Sequence, residues 1–160
     1  MPETVTLKRI PACTVAYKSG RGPYSLIPEV VRDLNLWIRE NGHTAAGPPV
    51  GVFKNNPYMP PAELLWEVQV PLKLDGPLSV PETDTTPGLK DLPDRQVIAA
   101  HQGDLDTLGE ALHGLIRFMA SSGYRMTAAP EQVFLKDPVT TPPHELEGEL
   151  RLTVEKREKE

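Results

Sequence analysis

Apolar residues in the first 72 positions follow two different periods, and the changes between these periods mark the predicted elements. Four stretches are short and rich in β-branched or alternating apolar residues, which is typical of strands. One stretch has apolar residues at a period near 3.6, which is typical of an amphipathic helix. The predicted elements are strands at residues 4–10, 12–18, 50–54 and 64–72, and a helix that Ser25 caps and Asn41-Gly42 ends.

The second half of the chain repeats the first at an offset that stays at 81 or 82 residues. Residues 7–11, Leu-Lys-Arg-Ile-Pro, recur as Leu-Lys-Asp-Leu-Pro at 89–93, and Glu67 falls on Glu149 at the other end of the repeat. A coincidence would not keep this register over half a chain, so we interpret the pattern as an internal duplication. It predicts a second helix from about Thr107 to Ser122.

The duplication predicts one α+β domain over residues 1–160, built from two tandem strand-strand-helix-strand-strand modules that a pseudo-twofold axis relates. We expect antiparallel sheets with a helix on one face and a central cleft between the modules, because pockets often form at such junctions. The predicted segments are repeat one at about 3–72, a connector at 73–88, repeat two at about 89–154 and a charged tail at 155–160.

Charge and composition narrow the range of partners. The net charge is −5 and the Lys and Arg residues are scattered, so we expect no direct nucleic-acid binding. No apolar run approaches the roughly 20 residues of a membrane span, and the N-terminus lacks the apolar stretch of a signal peptide. The single cysteine, Cys13, excludes an internal disulfide and fits a cytoplasmic location. Long edge strands are compatible with a monomer or a homodimer.

Two glutamates are the candidate catalytic and binding residues. In the strand at 64–72, Trp66 and other apolar residues alternate with Glu67. In the corresponding strand of the second half, apolar residues alternate with Glu149 in the same way. If the apolar faces lie under the helices, both glutamates point the same way. They are either solvated surface residues or acidic groups inside an aromatic-lined cavity, where they could bind a cation or act as a base with a raised pKa.

Four aromatic residues lack the spacing of a helix core and are candidates for lining the cavity: Tyr17, Tyr24, Tyr58 and Trp66. A regular strand places Trp66 on the face away from Glu67, so Trp66 reaches the cavity only through a bulge or a twisted strand end. Trp37, Phe118, Phe53 and Phe134 are instead predicted to pack in the core. The histidines show no ligand spacing, and no phosphate loop or dinucleotide motif is present, so we predict no metal and no cofactor.

Several short motifs occur in a specific order along nearly the whole chain: Ile10-Pro11-Ala12, Val15-Ala16-Tyr17, Gly22-Pro23-Tyr24, Asn41-Gly42, Ala46-Gly47-Pro48-Pro49, Pro57, Pro60-Pro61, Glu63 and Leu65-Trp66-Glu67. Together they resemble the GyrI-like small-molecule-binding family, whose fold also forms the effector-binding domain of AraC-type and multidrug-responsive regulators. The resemblance implies a ligand cleft between two modules, lined by aromatic residues. It also implies a buried glutamate that attracts cationic aromatic drugs, and Glu67 lies in the matching motif.

The resemblance leaves three functions open. The first is a stand-alone binder of amphipathic, aromatic or cationic compounds. No helix-turn-helix segment precedes Glu3, so we expect that the chain is not a complete transcription regulator. The second is a hydrolase of cyclopropane-containing DNA-alkylating toxins, in which Glu67 or Glu149 positions water as a general base. The third is an interaction protein that inhibits DNA gyrase, which the mild negative charge supports only weakly.

Overall fold

A computed structural model describes residues 5–74 and 78–157, and its elements follow the predicted order in both halves of the chain. The first half contains β1 (Val5–Ile10), β2 (Cys13–Arg21), α1 (Ile27–Glu40), β3 (Val50–Phe53) and β4 (Leu65–Leu72). The second half contains β5 (Gly88–Leu92), β6 (Arg95–His101), α2 (Leu108–Ser121), β7 (Tyr124–Met126), β8 (Glu131–Phe134) and β9 (Gly148–Lys156). The α+β class is therefore confirmed, and β7 is an addition that only the second half carries.

The two halves exchange their first strands within one antiparallel sheet. The strand order is β1-β6-β9-β8-β3-β4-β2-β5, with β7 paired to β9, so β1 pairs with β6 and β5 pairs with β2. If the order is read from its other end and each strand is replaced by its counterpart in the other half, the same order results. The pseudo-twofold axis passes between β3 and β8, where Gly51 lies opposite Gln132. The pairing of β3 with β8 joins the expected pair of sheets into one curled sheet.

Both helices pack on the same face of this sheet. Each helix buries one stripe, formed by Ile27, Val31, Leu34 and Ile38 in α1 and by Leu108, Leu112, Leu115 and Met119 in α2. These stripes and the apolar side of the strands form one core cluster, and each large side chain within it contributes roughly 1.5–3 kcal/mol to folding. Both helices are followed by glycines with positive φ, Gly42 at 75° and Gly123 at 83°, as predicted. No helix in the described ranges is long and apolar enough to cross a membrane.

Three local predictions differ from the structure. Ser25 does not cap α1, because it lies in a 3₁₀ turn at Tyr24–Leu26 that leads directly into the helix. Phe118 is 43% exposed, because it lies at the border of the buried stripe of α2. Glu155 and Lys156 belong to β9, which extends into the predicted charged tail because β7 pairs with it there.

Candidate functional site

The face of the sheet opposite the helices carries both candidate glutamates, and we call it the open face. In β4, Trp66 and Val68 belong to the core beneath the helices, so the alternating residues Glu67 and Gln69 point to the other side. The register places Val52 of β3 opposite Glu67 on this face, and Glu149 of β9 follows the same alternation. The two glutamates therefore share one face, as the alternation predicted.

Glu67 lies at the bottom of a charged cluster. Glu67 is only 3% exposed, and its Oε2 accepts hydrogen bonds from Lys90 Nζ and from Gln69 Nε2, both at 2.7 Å. Lys54 Nζ lies 3.6 Å from Oε1. The side chains of Lys90 and Lys54 are 31% and 43% exposed, so two ammonium groups lie between the buried carboxylate and solvent. Glu67 is thus not a solvated surface residue.

Tyr17 is the one aromatic candidate that shares this cluster. It lies opposite Gln69 in β4 and opposite Gly88 in β5, and its ring centroid is 4.3 Å from Lys90 Nζ, a cation–π contact. The hydroxyl oxygen accepts a hydrogen bond from the backbone N–H of Glu82 at 3.3 Å. A Cβ at position 88 would collide with the ring, so glycine at this position allows Tyr17 to lie across β5.

Glu149 occupies the equivalent cluster of the second half. Its Oε2 accepts a hydrogen bond from Lys8 Nζ and its Oε1 accepts one from Arg151 Nε, both at 2.7 Å. Burial by itself would raise the pKa of Glu149, but the hydrogen bonds and charges of Lys8 and Arg151 outweigh it and hold the pKa below its usual value. Glu149 is therefore a carboxylate at neutral pH.

The Lys90–Glu67 and Lys8–Glu149 pairs are two copies of one arrangement. Lys8 and Lys90 correspond at the offset of 82 residues, as do Glu67 and Glu149. Each pair joins residues from different halves, because β1 and β5 are the exchanged strands. The repeated Leu-Lys motif was visible in the sequence, but its contact with the glutamates depends on the exchange and was missed.

A third carboxylate, Glu131, was also missed. It is buried, and the guanidinium of Arg95 donates two hydrogen bonds to it, while Arg151 Nη1 lies 3.8 Å from Oε2. Burial lowers the pKa of Arg95, but the hydrogen bonds and charge of Glu131 outweigh this effect and raise it. The first half has Cys13 and Val50 at the corresponding positions, so a residue-by-residue comparison of the two halves could have found this pair.

A strip of valines separates the two glutamate clusters. Val50, Val52 and Val133 are buried on the open face and pack together in the middle of the sheet, next to the pseudo-twofold axis. The open face thus combines an apolar centre with charged groups on both sides. Within residues 5–74 and 78–157, no three His, Cys, Asp or Glu side chains are grouped to hold a metal ion.

Trp66 and Tyr24 lie on the helix side of the sheet, away from Glu67. Trp66 is fully buried, and its Nε1 donates a hydrogen bond to the carbonyl oxygen of Gly22 at 2.9 Å. Tyr24 packs edge-on against Phe53, with ring centroids 5.3 Å apart. The Tyr24 hydroxyl is buried without a hydrogen-bond partner among the described residues, and burial raises its pKa to about 12. Both side chains contribute to the core in this structure.

Tyr58 lines a groove at the junction of the two halves, on the helix side. Its side chain is 71% exposed and lies against Gly109 of α2, and the groove has a volume of about 660 Å³. The other apolar side chains of the lining are those of Phe53, Pro57, Leu112, Ile116, Met126, Ala128, Ala129 and Pro130. Lys54 lines the same groove while its Nζ approaches Glu67, so this residue connects the groove with the charged cluster.

The pseudo-twofold axis generates a second groove beside α1. It has a volume of about 590 Å³, and about half of its lining residues correspond to residues of the Tyr58 groove. Arg32 replaces His113, Asn35 replaces Ile116 and Asp137 replaces Asn56. The two copies have therefore diverged in their charged lining, because Arg32, Arg39 and Asp137 line only the groove beside α1.

A curled antiparallel sheet with two helices is the fold of a family of small-molecule-binding domains. The chain belongs to the GyrI-like family, because the model of the GyrI-like small molecule binding domain matches residues 3–155. No curated protein sequence matches the chain.

Solved structures share this fold at low sequence identity. The C-terminal domain of EcmrR has a TM-score of 0.78 and 17% identity, over 98% of this chain and 99% of that domain. In the EcmrR–DNA complex, the chain spans 57% of EcmrR. A hydrolase encoded by lin2189 from Listeria innocua has a TM-score of 0.65 and 14% identity, over 96% of this chain and 92% of that one. SAV2435 bound to tetraphenylphosphonium has a TM-score of 0.52 and 10% identity, over 95% of this chain and 94% of that one.

Proposed function

We propose that this chain binds small amphipathic organic molecules on the open face, with Glu67 at the base of the site. The observation that carries the proposal is a nearly fully buried carboxylate beneath two partly exposed lysines. Burying a charge costs several kcal/mol unless it is paired, so a buried carboxylate beneath partly exposed lysines is a candidate for a role beyond stability. The family match supports a small organic ligand, and the family resemblance implies aromatic or cationic compounds as its class.

The open face offers complementary contacts for such a ligand. An aromatic body can pack against the partly exposed Tyr17 ring, while Val50, Val52 and Val133 form a buried apolar floor beside it. A polar group can reach the cluster around Glu67. Small-molecule sites combine an apolar lining with a few fixed polar groups in this way. We further propose that the protein acts in the cytoplasm, which the single cysteine favours.

Hydrolysis of a cyclopropane-containing toxin is the second candidate function. The shared fold of the Listeria innocua hydrolase favours it. A general base, however, works best with a pKa near the working pH. The pKa of Glu149 is lowered by Lys8 and Arg151, and Glu67 is paired with Lys90. The electrostatics of the face therefore support binding more strongly than base catalysis, and nothing on this face favours gyrase inhibition.

The test compares wild type with Glu67→Gln in a thermal-shift screen against amphipathic aromatic compounds of different charge. A ligand that binds the native state raises the melting temperature, and we expect this shift to shrink in Glu67→Gln. Glu155→Gln is the matched control, because Glu155 pairs with Arg125 at the exposed end of β9, and its shifts should equal those of wild type. Equal shifts in Glu67→Gln and wild type would contradict the proposal.

Mass spectrometry of the compounds that bind separates the two functions. Binding alone leaves the mass of the compound unchanged. A hydrated product that forms with wild type, and that Glu67→Gln and Glu149→Gln no longer produce, would establish the hydrolase instead.

A further inference from the structure

Lys90 occupies the place that the charge of a cationic ligand would take on the open face. Its Nζ lies 2.7 Å from Glu67 Oε2 and 4.3 Å from the centroid of the Tyr17 ring. A carboxylate and an aromatic face are the two groups that proteins use to bind organic cations. We infer that Lys90 sets the specificity of this site, so that its ligand is an aromatic compound carrying a carboxylate or sulfonate and not a cation. This inference rests on the proposed function and narrows its ligand class.

The same arrangement is present twice in the chain. Lys8 Nζ lies 2.7 Å from Glu149 Oε2, the distance found between Lys90 and Glu67. Both lysines reach their glutamates from the exchanged strands β1 and β5. Each glutamate of the open face is therefore already neutralised by the chain itself.

The charge balance of the open face also favours an anionic ligand. Four carboxylates, those of Glu67, Glu82, Glu131 and Glu149, take part in the ion pairs at this face with six cationic side chains, which leaves a net charge of +2. The cationic side chains are those of Lys8, Lys18, Lys54, Lys90, Arg95 and Arg151. The whole chain has a net charge of −5, so this face is cationic on an otherwise acidic protein. Such a local field favours anionic ligands.

The two lysines above Glu67 still have donors to offer. An ammonium group carries three N–H donors, and Lys90 uses one of them on Glu67. Lys54 Nζ, at 3.6 Å from the carboxylate, lies beyond hydrogen-bond distance. Both side chains are partly exposed, so a ligand carboxylate can bind both without breaking the Lys90–Glu67 pair. A cationic ligand would have to displace Lys90 and leave its ammonium without a partner.

The test uses fluorescein and rhodamine 6G, which share a xanthene ring system and carry opposite charges. Fluorescence anisotropy measures the binding of each dye to wild type, Lys90→Met and Lys136→Met. Lys136 is the control, because it forms a comparable pair with Glu147 on the exposed surface. We expect wild type and Lys136→Met to bind fluorescein about tenfold more tightly than rhodamine 6G, the size of one charge-assisted hydrogen bond. In Lys90→Met the preference should reverse, because Glu67 is freed.

Two results would overturn the inference in distinguishable ways. If rhodamine 6G binds wild type more tightly, and Lys90→Met changes neither affinity, the inference fails, while weaker binding in Glu67→Gln preserves the proposed function. If neither dye binds wild type or any variant, both the inference and the proposed function fail. Should Lys90→Met not fold, the double variant with Glu67→Gln, which leaves no buried carboxylate without its partner, takes its place. A tenfold preference for fluorescein that persists in this double variant would also overturn the inference.

Discussion

Lys90 and Glu67 come from different halves of the chain, and their side chains meet at 2.7 Å because β5 pairs with β2 next to β4. The pair therefore links the exchange of strands directly to the candidate site. A buried carboxylate needs its cationic partner, so removing one member of the pair costs more than removing both. The following predictions concern this pair and the features that support it.

The stability of the Lys90–Glu67 pair is tested by a double-mutant cycle. We expect Lys90→Met and Glu67→Ala each to lower the free energy of unfolding, and the double variant to cost less than the sum of the two. The coupling should be about 0.5–3 kcal/mol, the range for residues in one ion-pair network. Urea denaturation of the four proteins measures it. Additive effects within about 0.5 kcal/mol would show that the two side chains do not interact.

Tyr24→Phe should raise stability. The variant removes a buried hydroxyl that has no partner among the described residues, and leaving such a group unsatisfied costs about 1–3 kcal/mol. The pKa of Tyr24 is about 12 in the folded state, above its usual value near 10. Between these values the folded state holds more protons than the unfolded state, so wild type loses stability as pH rises through this window. Unfolding curves at alkaline pH should show a smaller loss for Tyr24→Phe, and equal losses would contradict this account.

Gly20→Ala should be strongly destabilising, by more than about 2 kcal/mol. A Cβ at position 20 would collide with the buried indole ring of Trp66, which cannot move without disturbing the core. Gly114→Ala is the control, because nothing lies within 4 Å of its Cβ and alanine favours helices by about 1 kcal/mol over glycine. In thermal unfolding, Gly20→Ala should have a lower melting temperature than wild type, and Gly114→Ala a higher one.

Glu131→Val should cost about 3–5 kcal/mol, because it leaves Arg95 as an uncompensated charge in a largely buried position. Adding Arg95→Cys recreates in the second half the Cys13 and Val50 pair of the first. We expect the double variant to recover most of the lost stability in denaturant unfolding. A double variant as unstable as the single one would show that the two halves pack differently here.

The lowered pKa of Glu149 predicts a dependence of stability on acid. Its stabilising effect is fully present above the unfolded pKa of about 4.3, and is lost as pH falls through the lower folded value. Glu149→Gln should therefore flatten the dependence of the unfolding free energy on pH below this point. A curve that keeps the slope of wild type would assign the acid sensitivity to other carboxylates.

The sequence was sufficient to predict the duplication, the element order and the common face of Glu67 and Glu149. These features depend on local periodicity, which a regular strand or helix converts directly into a direction of the side chain. The same alternation predicted that Trp66 points away from Glu67, and the structure places it in the core.

The partners of the glutamates could not be predicted in the same way. Lys8 and Lys90 reach Glu149 and Glu67 only through the exchange of first strands, and a local pattern carries no information about which half a strand joins. The position of the Tyr24 side chain could not be predicted either. A 3₁₀ turn and not a strand sets its direction, and the ring packs against Phe53. Long-range pairing and irregular turns thus account for what was missed.

The most direct test of the central claim maps the bound ligand by amide chemical shifts in NMR, using fluorescein as the probe. The account predicts that the perturbed amides cluster in β2, β4 and β5 around Tyr17, Glu67 and Lys90, and that Lys90→Met weakens these changes. Perturbations confined to α2 and the groove at Tyr58, with β4 and β5 unchanged, would contradict it and move the site to the helix side of the sheet.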